Sequence, residues 1–331
     1  MRRLGRFGVR ASRSKSPFTY RVIITDTGPL PPNASITRAT NATYFDSSGA
    51  LTTASSGVAR FDYDPSTLAA RGLLIEEQRT NLLLNSLADG TNLSTQNVAV
   101  SATAYTLSFF GTGTVTLSGA STAGPLVGTD ATTKVRLTFT PSAGTLTCTV
   151  SGTVKWANLE AGSFATSFIP TAGASATRNA DQVVVSTLTP WFNATEGTVV
   201  VEFSEPSIPS ADSFVVQFDD GTASNRHAIY VTGGAASAFT TTGGVVQSFL
   251  GLGANVGGTN YKVAYAYKVN DFAASKNGGA VGTDAAGTLP TPTALRIGSN
   301  QAPTGFLNGY VRRLTYYNTR LSNAQLQALS T

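Results

Sequence analysis

One cysteine, one histidine and one methionine in 331 residues set the first limits on this chain. Cys148 alone cannot form an intrachain disulfide, so stability has to come from sheet packing and from contacts between copies. One cysteine and one histidine, His227, cannot furnish a zinc site either. Charged residues make up only 12% of the chain, and the Glu-, Lys- and Leu-rich pattern of long helices is nearly absent. Long apolar runs are missing too. The longest near the N-terminus is Val22-Ile23-Ile24, too short for the core of an export signal, and no stretch is long enough to span a bilayer. The sequence therefore predicts neither a signal peptide nor a membrane span.

What is abundant is glycine, serine, threonine and alanine, the composition of all-β proteins with many turns. The length suits two small domains and an extension. The net charge of +5 is unevenly placed: Arg2, Arg3, Arg6, Arg10, Arg13, Lys15 and Arg21 fall in the first 21 residues without an acid, so the rest of the chain is slightly acidic. Such an arm reads either as a solvated tail or as a segment that docks on an acidic protein surface, where seven cations raise affinity and on-rate. Nucleic acid is a poor third partner, because between Arg2 and Lys15 only Phe7 interrupts the cations, with Phe18 and Tyr20 just before Arg21, and no binding fold follows. An acid-free, Arg- and Ser-rich start is also similar to a mitochondrial presequence, against which the lack of an enzyme-like body counts.

The last fifth of the chain carries four ordered signals. Residues Tyr261 to Val269 alternate Tyr, Val, Tyr, Tyr and Val against Lys and Ala, the pattern of a half-buried strand. Asn277-Gly278 reads as a tight hairpin turn. Ala294 to Gly298 and Gly305 to Asn318 predict two more strands. Ser322 with Gln325 forms a capping box and Leu321 against Leu326 a hydrophobic staple, which starts a short helix at Asn323. Upstream, Val199, Val201 and Phe203 share one strand face, and Phe214, Val216 and Phe218 another. On the strength of Ile297-Gly298, Phe306-Leu307-Asn308-Gly309 and Leu321-Ser322, residues 191–331 resemble a laminin-G-like (concanavalin A-like) jelly roll.

A second resemblance concerns context. Arg60-Phe61-Asp62-Tyr63-Asp64-Pro65 and Gly72-Leu73-Leu74-Ile75-Glu76-Glu77-Gln78-Arg79-Thr80-Asn81 are similar to segments of tailed-bacteriophage structural proteins, where they precede carbohydrate-binding-like sandwiches. The stretch Leu159-Glu160 to Ile169-Pro170-Thr171 is similar to the end of such modules. Glu76 and Glu77 invite comparison with a catalytic pair, but neighbours on a strand point to opposite faces and cannot converge on one bond. A structural ion pair is expected instead, with Arg79 partly buried. Between them, Tyr105, Leu107 and Phe109, then Val135, Leu137 and Phe139, then Leu146, Cys148 and Val150 alternate as in a small sandwich, making Cys148 a core residue.

The expected fold is thus all-β: a small carbohydrate-binding-module-like β-sandwich over 85–175 and a laminin-G-like jelly roll over 176–331. An extended basic arm and Pro-rich linker over 1–37 and a connector over 38–84 precede them. No Ser-His-Asp arrangement, nucleophile elbow or phosphate loop is legible, and the chain is expected not to be an enzyme. The ligand candidates lie in one loop, Asp219, Asp220, Asn225, Arg226 and His227, with Trp191 and Tyr230 as stacking surfaces. Asp219 and Asp220 are also the only Ca²⁺ candidates, although Asp220-Gly221 serves equally as a hairpin turn; no cofactor is otherwise expected. The phage resemblance implies a virion-surface protein of fibre or decoration type, made in the bacterial cytoplasm. It would be held to capsid or tail proteins by its arm, be oligomeric with a trimer favoured, and adhere to host-surface glycan. A purely structural decoration protein and a glycan depolymerase are the alternatives.

Overall fold

The computed structural model describes residues 20–208 and 211–331. Among these, strands dominate and the single helix is Asn323–Leu329. Two stacked pairs of antiparallel sheets form two sandwiches.

The larger sandwich has one sheet ordered Gly282–Asp284, Phe272–Lys276, Asn260–Lys268, Glu196–Ser204, Gly309–Tyr317, Ala70–Ile75 and Phe61–Tyr63. Its other sheet runs Ala34–Thr37, Gln182–Val185, Ala294–Ile297, Ser213–Asp219, Arg226–Thr232, Ala235–Thr242 and Val245–Ala254. Between them lies one core, to which Val199, Val201, Phe203, Val263, Tyr265, Val216, Phe218, Leu295 and Ile297 contribute. This is the two-layered β-sandwich that the chain's ending implies: side chains of alternate parity from two facing pleated surfaces exclude water between them. The turn at Asn277-Gly278 has positive φ at both residues, 50° and 69°, as a primed hairpin turn requires. The helix starts as read, with Ser322 accepting from the Gln325 amide and the Gln325 side chain from the Ser322 amide, while Leu321 and Leu326 are buried together.

One face assignment fails. Phe214 does not share the face of Val216 and Phe218, because a bulge between Phe214 and Val216 shifts the register. Val215 enters the core instead, and Phe214 stacks on Tyr230 across the outer face, 5.4 Å between ring centres. An extra residue in one strand reverses parity beyond it.

The smaller sandwich sets Leu126–Val127, Thr114–Gly119, Gly144–Ser151 and Gln96–Val100 against Asp130–Phe139, Tyr105–Gly111, Lys155–Ala161, Arg79–Asn81 and Ala176–Arg178. Leu107, Phe109, Val115, Leu117, Leu146 and Leu159 fill it. Cys148 lies among them with no exposure, and burial pushes its thiol up to about 11.

The boundaries differ from those read in the sequence. Tyr20–Ile24 is a strand on Gly309–Tyr317, with Ile23 and Ile24 buried. Ala34–Thr37 pairs with Gln182–Val185, so only residues 1–19 of the expected arm fall outside the described structure. Nor is 38–84 a connector, since Ala70–Ile75 occupies the other half of the Gly309–Tyr317 edge and Phe61–Tyr63 pairs on it in turn. Arg79–Asn81 and Ala176–Arg178 pair with each other inside the smaller sandwich. The smaller sandwich is therefore an insertion, from Arg79 to Arg178, between two strands of the larger one.

A buried ionic cluster closes the junction. Asp181 takes Arg38 at 2.7 Å and Arg60 at 2.5 Å, while Glu76 takes Arg60 and Arg178, each at 2.8 Å. All five side chains are at most 5% exposed. Burial alone would raise the Glu76 pKa, but Arg178, Arg60 and two hydrogen bonds from Ser167 outweigh it and hold the carboxyl at about 2. Glu77 turns away to Arg79, 2.6 Å, whose side chain is 9% exposed and packs over Phe164. The adjacent glutamates lie in the link between strands Ala70–Ile75 and Arg79–Asn81 and go to different arginines, each as a structural ion-pair partner.

Candidate functional site

At the seam of the two sandwiches opens a cleft of about 570 Å³. Its floor is aromatic. Phe45 and Phe110 meet edge to face at 5.5 Å, and both touch Trp156 in the same way. One wall carries Asp62, Asp64, Arg71 and Tyr310 of the larger sandwich with Tyr44 from the separate two-stranded sheet of Ala42–Phe45 and Leu51–Ala54; the other is the outer face of strand Asp130–Phe139 with Lys134 and Arg136. That strand points Val135, Leu137 and Phe139 into the small core, so residues 134 and 136 must point out of it.

The carboxylates of the cleft are each engaged. Asp62 is buried and accepts from the Phe45 amide at 2.7 Å, the Tyr310 hydroxyl at 2.9 Å and Arg71 at 3.5 Å. Burial nevertheless raises its pKa above the ordinary aspartate value. Asp64 shapes the following turn by accepting from the Ser66 and Thr67 amides, and its other oxygen takes Arg71 at 2.8 Å. Glu76 belongs to the arginine cluster.

The cations are less fully matched. Lys134 donates to the Thr166 carbonyl at 2.7 Å and lies 5.5 Å from the Phe110 ring centre, but no carboxylate of the described residues stands within 4 Å. Burial lowers its pKa below the lysine value against the pull of Glu160, Glu76 and Asp62. Arg136 is exposed, and its guanidinium has no hydrogen-bond or ion-pair partner among the described residues. The same holds for the hydroxyl of half-buried Tyr44, whose ring lines the cleft. A ring face with an unpartnered hydroxyl and two cations without ion-pair partners, over an aromatic floor, make a surface suited to a polyhydroxylated ligand with some negative charge.

The residues predicted from sequence lie elsewhere and do not form one site. Asp219 is fully buried, held by Arg296 and Gln217 and accepting from the Gly221 amide. His227 is 1% exposed, stacks on Tyr267 at 4.1 Å and contacts Thr240 at 2.7 Å through Nδ1; burial lowers its pKa to about 3, so the ring is neutral. These two are interior residues because the strand ends carry their side chains into the sandwich. Asp220 and Asn225 bond one another at 2.8 Å, with Asp220 also accepting from the Thr222 amide and hydroxyl. Both are thus absorbed in shaping the turn. Every carboxylate oxygen of the two Ca²⁺ candidates accepts an internal hydrogen bond, and no cluster of three or more metal-binding side chains occurs among the described residues. Trp191 packs edge-on against Tyr316 and Phe218 at the rim of the core, with Arg21 over its other face at 5.2 Å. Arg21 also donates to Asn33. It is thereby part of the larger sandwich, whereas Arg2, Arg3, Arg6, Arg10, Arg13 and Lys15 lie outside the described residues.

Only Arg226 and Tyr230 come together on an outer face. Arg226 lies over Phe239 at 4.9 Å and Phe214 at 5.6 Å and donates to Gln217, so its charge is already occupied. The cleft residues Tyr44, Lys134 and Arg136 escape a sequence reading centred on loops. The one available signal is the outward parity of 134 and 136 opposite Val135, Leu137 and Phe139.

No family model and no curated protein sequence matches the chain. Among solved structures it is similar to the CBM40 of Ruminococcus gnavus IT-sialidase, with 18% identity over 42% of this chain and 84% of that one and a TM-score of 0.36. It is also similar to leech intramolecular trans-sialidase, with 19% identity over 42% of this chain and 23% of that one and a TM-score of 0.36. The binding domain of botulinum neurotoxin DC shows 9% identity over 46% and 40% of the two chains, with a TM-score of 0.37.

Proposed function

We propose that this protein is a glycan-binding adhesin, with the cleft between its two sandwiches as the sugar site. The observation that carries the reading is the cleft itself: a free tyrosine ring and hydroxyl beside unpaired cations, in a concavity large enough for a few sugar rings. The engagement of Asp62, Asp64 and Glu76 supports binding over bond cleavage, since a glycosidase needs two carboxyl groups free to face the scissile bond.

The similarity of residues 60–81 and 159–171 to tailed-phage structural proteins supports a virion setting, as a fibre or decoration protein held to capsid or tail proteins by residues 1–19. In that setting the protein is an oligomer, with a trimer favoured, and weak single sites gain strength through effective concentration. A glycan array with a host-cell binding assay tests this. Array binding competed by the same free glycan on cells is expected. Absence of both, with virions destabilised when the protein is deleted, would leave the purely structural role. Release of reducing ends from host capsule or lipopolysaccharide would establish the depolymerase instead.

A further inference from the structure

We propose that the cleft selects acidic saccharides, with the sugar carboxylate received by Arg136 and Lys134 and a pyranose ring laid against Tyr44. This rests on the reading of the cleft as a sugar site and names the class of sugar it takes. The first argument is charge balance at the walls. Arg71 is matched by Asp64 and Asp62, and Arg312 by Glu202 at 3.4 Å. Neither Lys134 nor Arg136 has a carboxylate within 4 Å among the described residues, and Lys134 feels Glu160, Glu76 and Asp62 only from farther off. Half-buried Lys134 bears a desolvation cost that a ligand anion offsets, while exposed Arg136 is solvated and free to turn to the same anion.

The second argument is geometry. Lys134 and Arg136 are alternate residues of one strand, so they project from the same face with backbones roughly 7 Å apart. That spacing brings both within reach of one ring and its exocyclic carboxylate. Arginine presents a planar fork that matches a carboxylate with two parallel hydrogen bonds, and nothing in the described structure occupies that fork. The third is Tyr44. Its ring makes no aromatic pair and its hydroxyl has no partner among the described residues, unlike Tyr230, which is already stacked on Phe214. An amphipathic ring beside a cationic pair accommodates the apolar face of a sugar and its acid group together. A neutral glycan would use Tyr44 and leave the two cations as they are.

The experiment measures binding of the full chain to a panel of glycans carrying uronic or nonulosonic acids, each paired with its carboxyl-reduced counterpart, beside neutral glycans and sulfated ones. At least one carboxylated member is expected to bind, its reduced partner at least tenfold more weakly. Arg136→Ala and Tyr44→Ala should each lose tenfold or more, while Arg313→Ala, which removes an exposed cation outside the cleft, should change affinity less than twofold. Circular dichroism and unfolding curves of the variants show that they fold. Equal binding of acidic and reduced members, preference for sulfated ones, or indifference to Arg136→Ala overturns the acidic-sugar assignment while the sugar site stands. If no glycan binds, the sugar site falls as well.

Discussion

Replacing Glu76 with glutamine removes one of the two carboxylates shared by three buried arginines. Arg60 keeps Asp181, but Arg178 loses its only carboxylate within ion-pair distance among the described residues. Removing one partner of a buried pair leaves a desolvated charge and costs about 3–5 kcal/mol. Titration yields a separate figure. The carboxyl is held at about 2 against an ordinary 4.5, a depression that corresponds to roughly 3 kcal/mol. Because the group is more acidic folded than unfolded, this stabilisation is complete above about 4.5 and fades as pH falls towards 2. Urea unfolding at neutral pH should therefore show Glu76→Gln less stable by about 3 kcal/mol. Between pH 4.5 and 2 the variant should lack this part of the wild-type decline. The two tryptophans report separately, Trp156 from the smaller sandwich and Trp191 from the larger, so single-tryptophan backgrounds reveal whether the halves now unfold apart. A loss below 1 kcal/mol, or a variant that keeps the full acid decline of wild type, would refute the assignment of the junction's strength to this cluster.

Glu205 behaves in the opposite sense. Burial raises its carboxyl to about 7 despite hydrogen bonds from Ser213 and Asn255, so the folded state favours the protonated form. Its contribution is complete below about 4.5 and is lost as pH rises through 7, a change of roughly 3 kcal/mol; Glu205→Gln should flatten the decline of unfolding free energy between pH 5 and 8, and an unchanged slope would reject the cause. Deletion of residues 1–19, which leaves every described strand in place, should abolish incorporation into particles, checked by blotting purified virions. Extending the deletion through Ile24 removes a strand and two buried isoleucines, and should lower stability by several kcal/mol; equal stability of the two truncations would contradict the strand's place in the sheet.

Period-two alternation, glycine-bounded turns and the Ser322 capping box are local, so the sequence by itself determined the all-β class, the helix at Asn323, the turn at Asn277-Gly278 and the buried fate of Cys148. Glu76 and Glu77 do part company as expected, although they lie in the link between Ala70–Ile75 and Arg79–Asn81 and are separated by the arginines that tertiary structure places around them. Tertiary structure alone decided that the smaller sandwich interrupts the larger. Strand pairing joins residues such as Val311 and Leu73, 238 positions apart, and no local pattern records which distant edge a strand will satisfy. The same holds for Phe214, whose face was reversed by a bulge, and for Asp219 and His227, whose polar character suggested a ligand loop while the sheet turned them inward. The cleft belongs to this second class, since Tyr44, Arg71, Lys134 and Arg136 come from three sheets and acquire a common surface only where these meet.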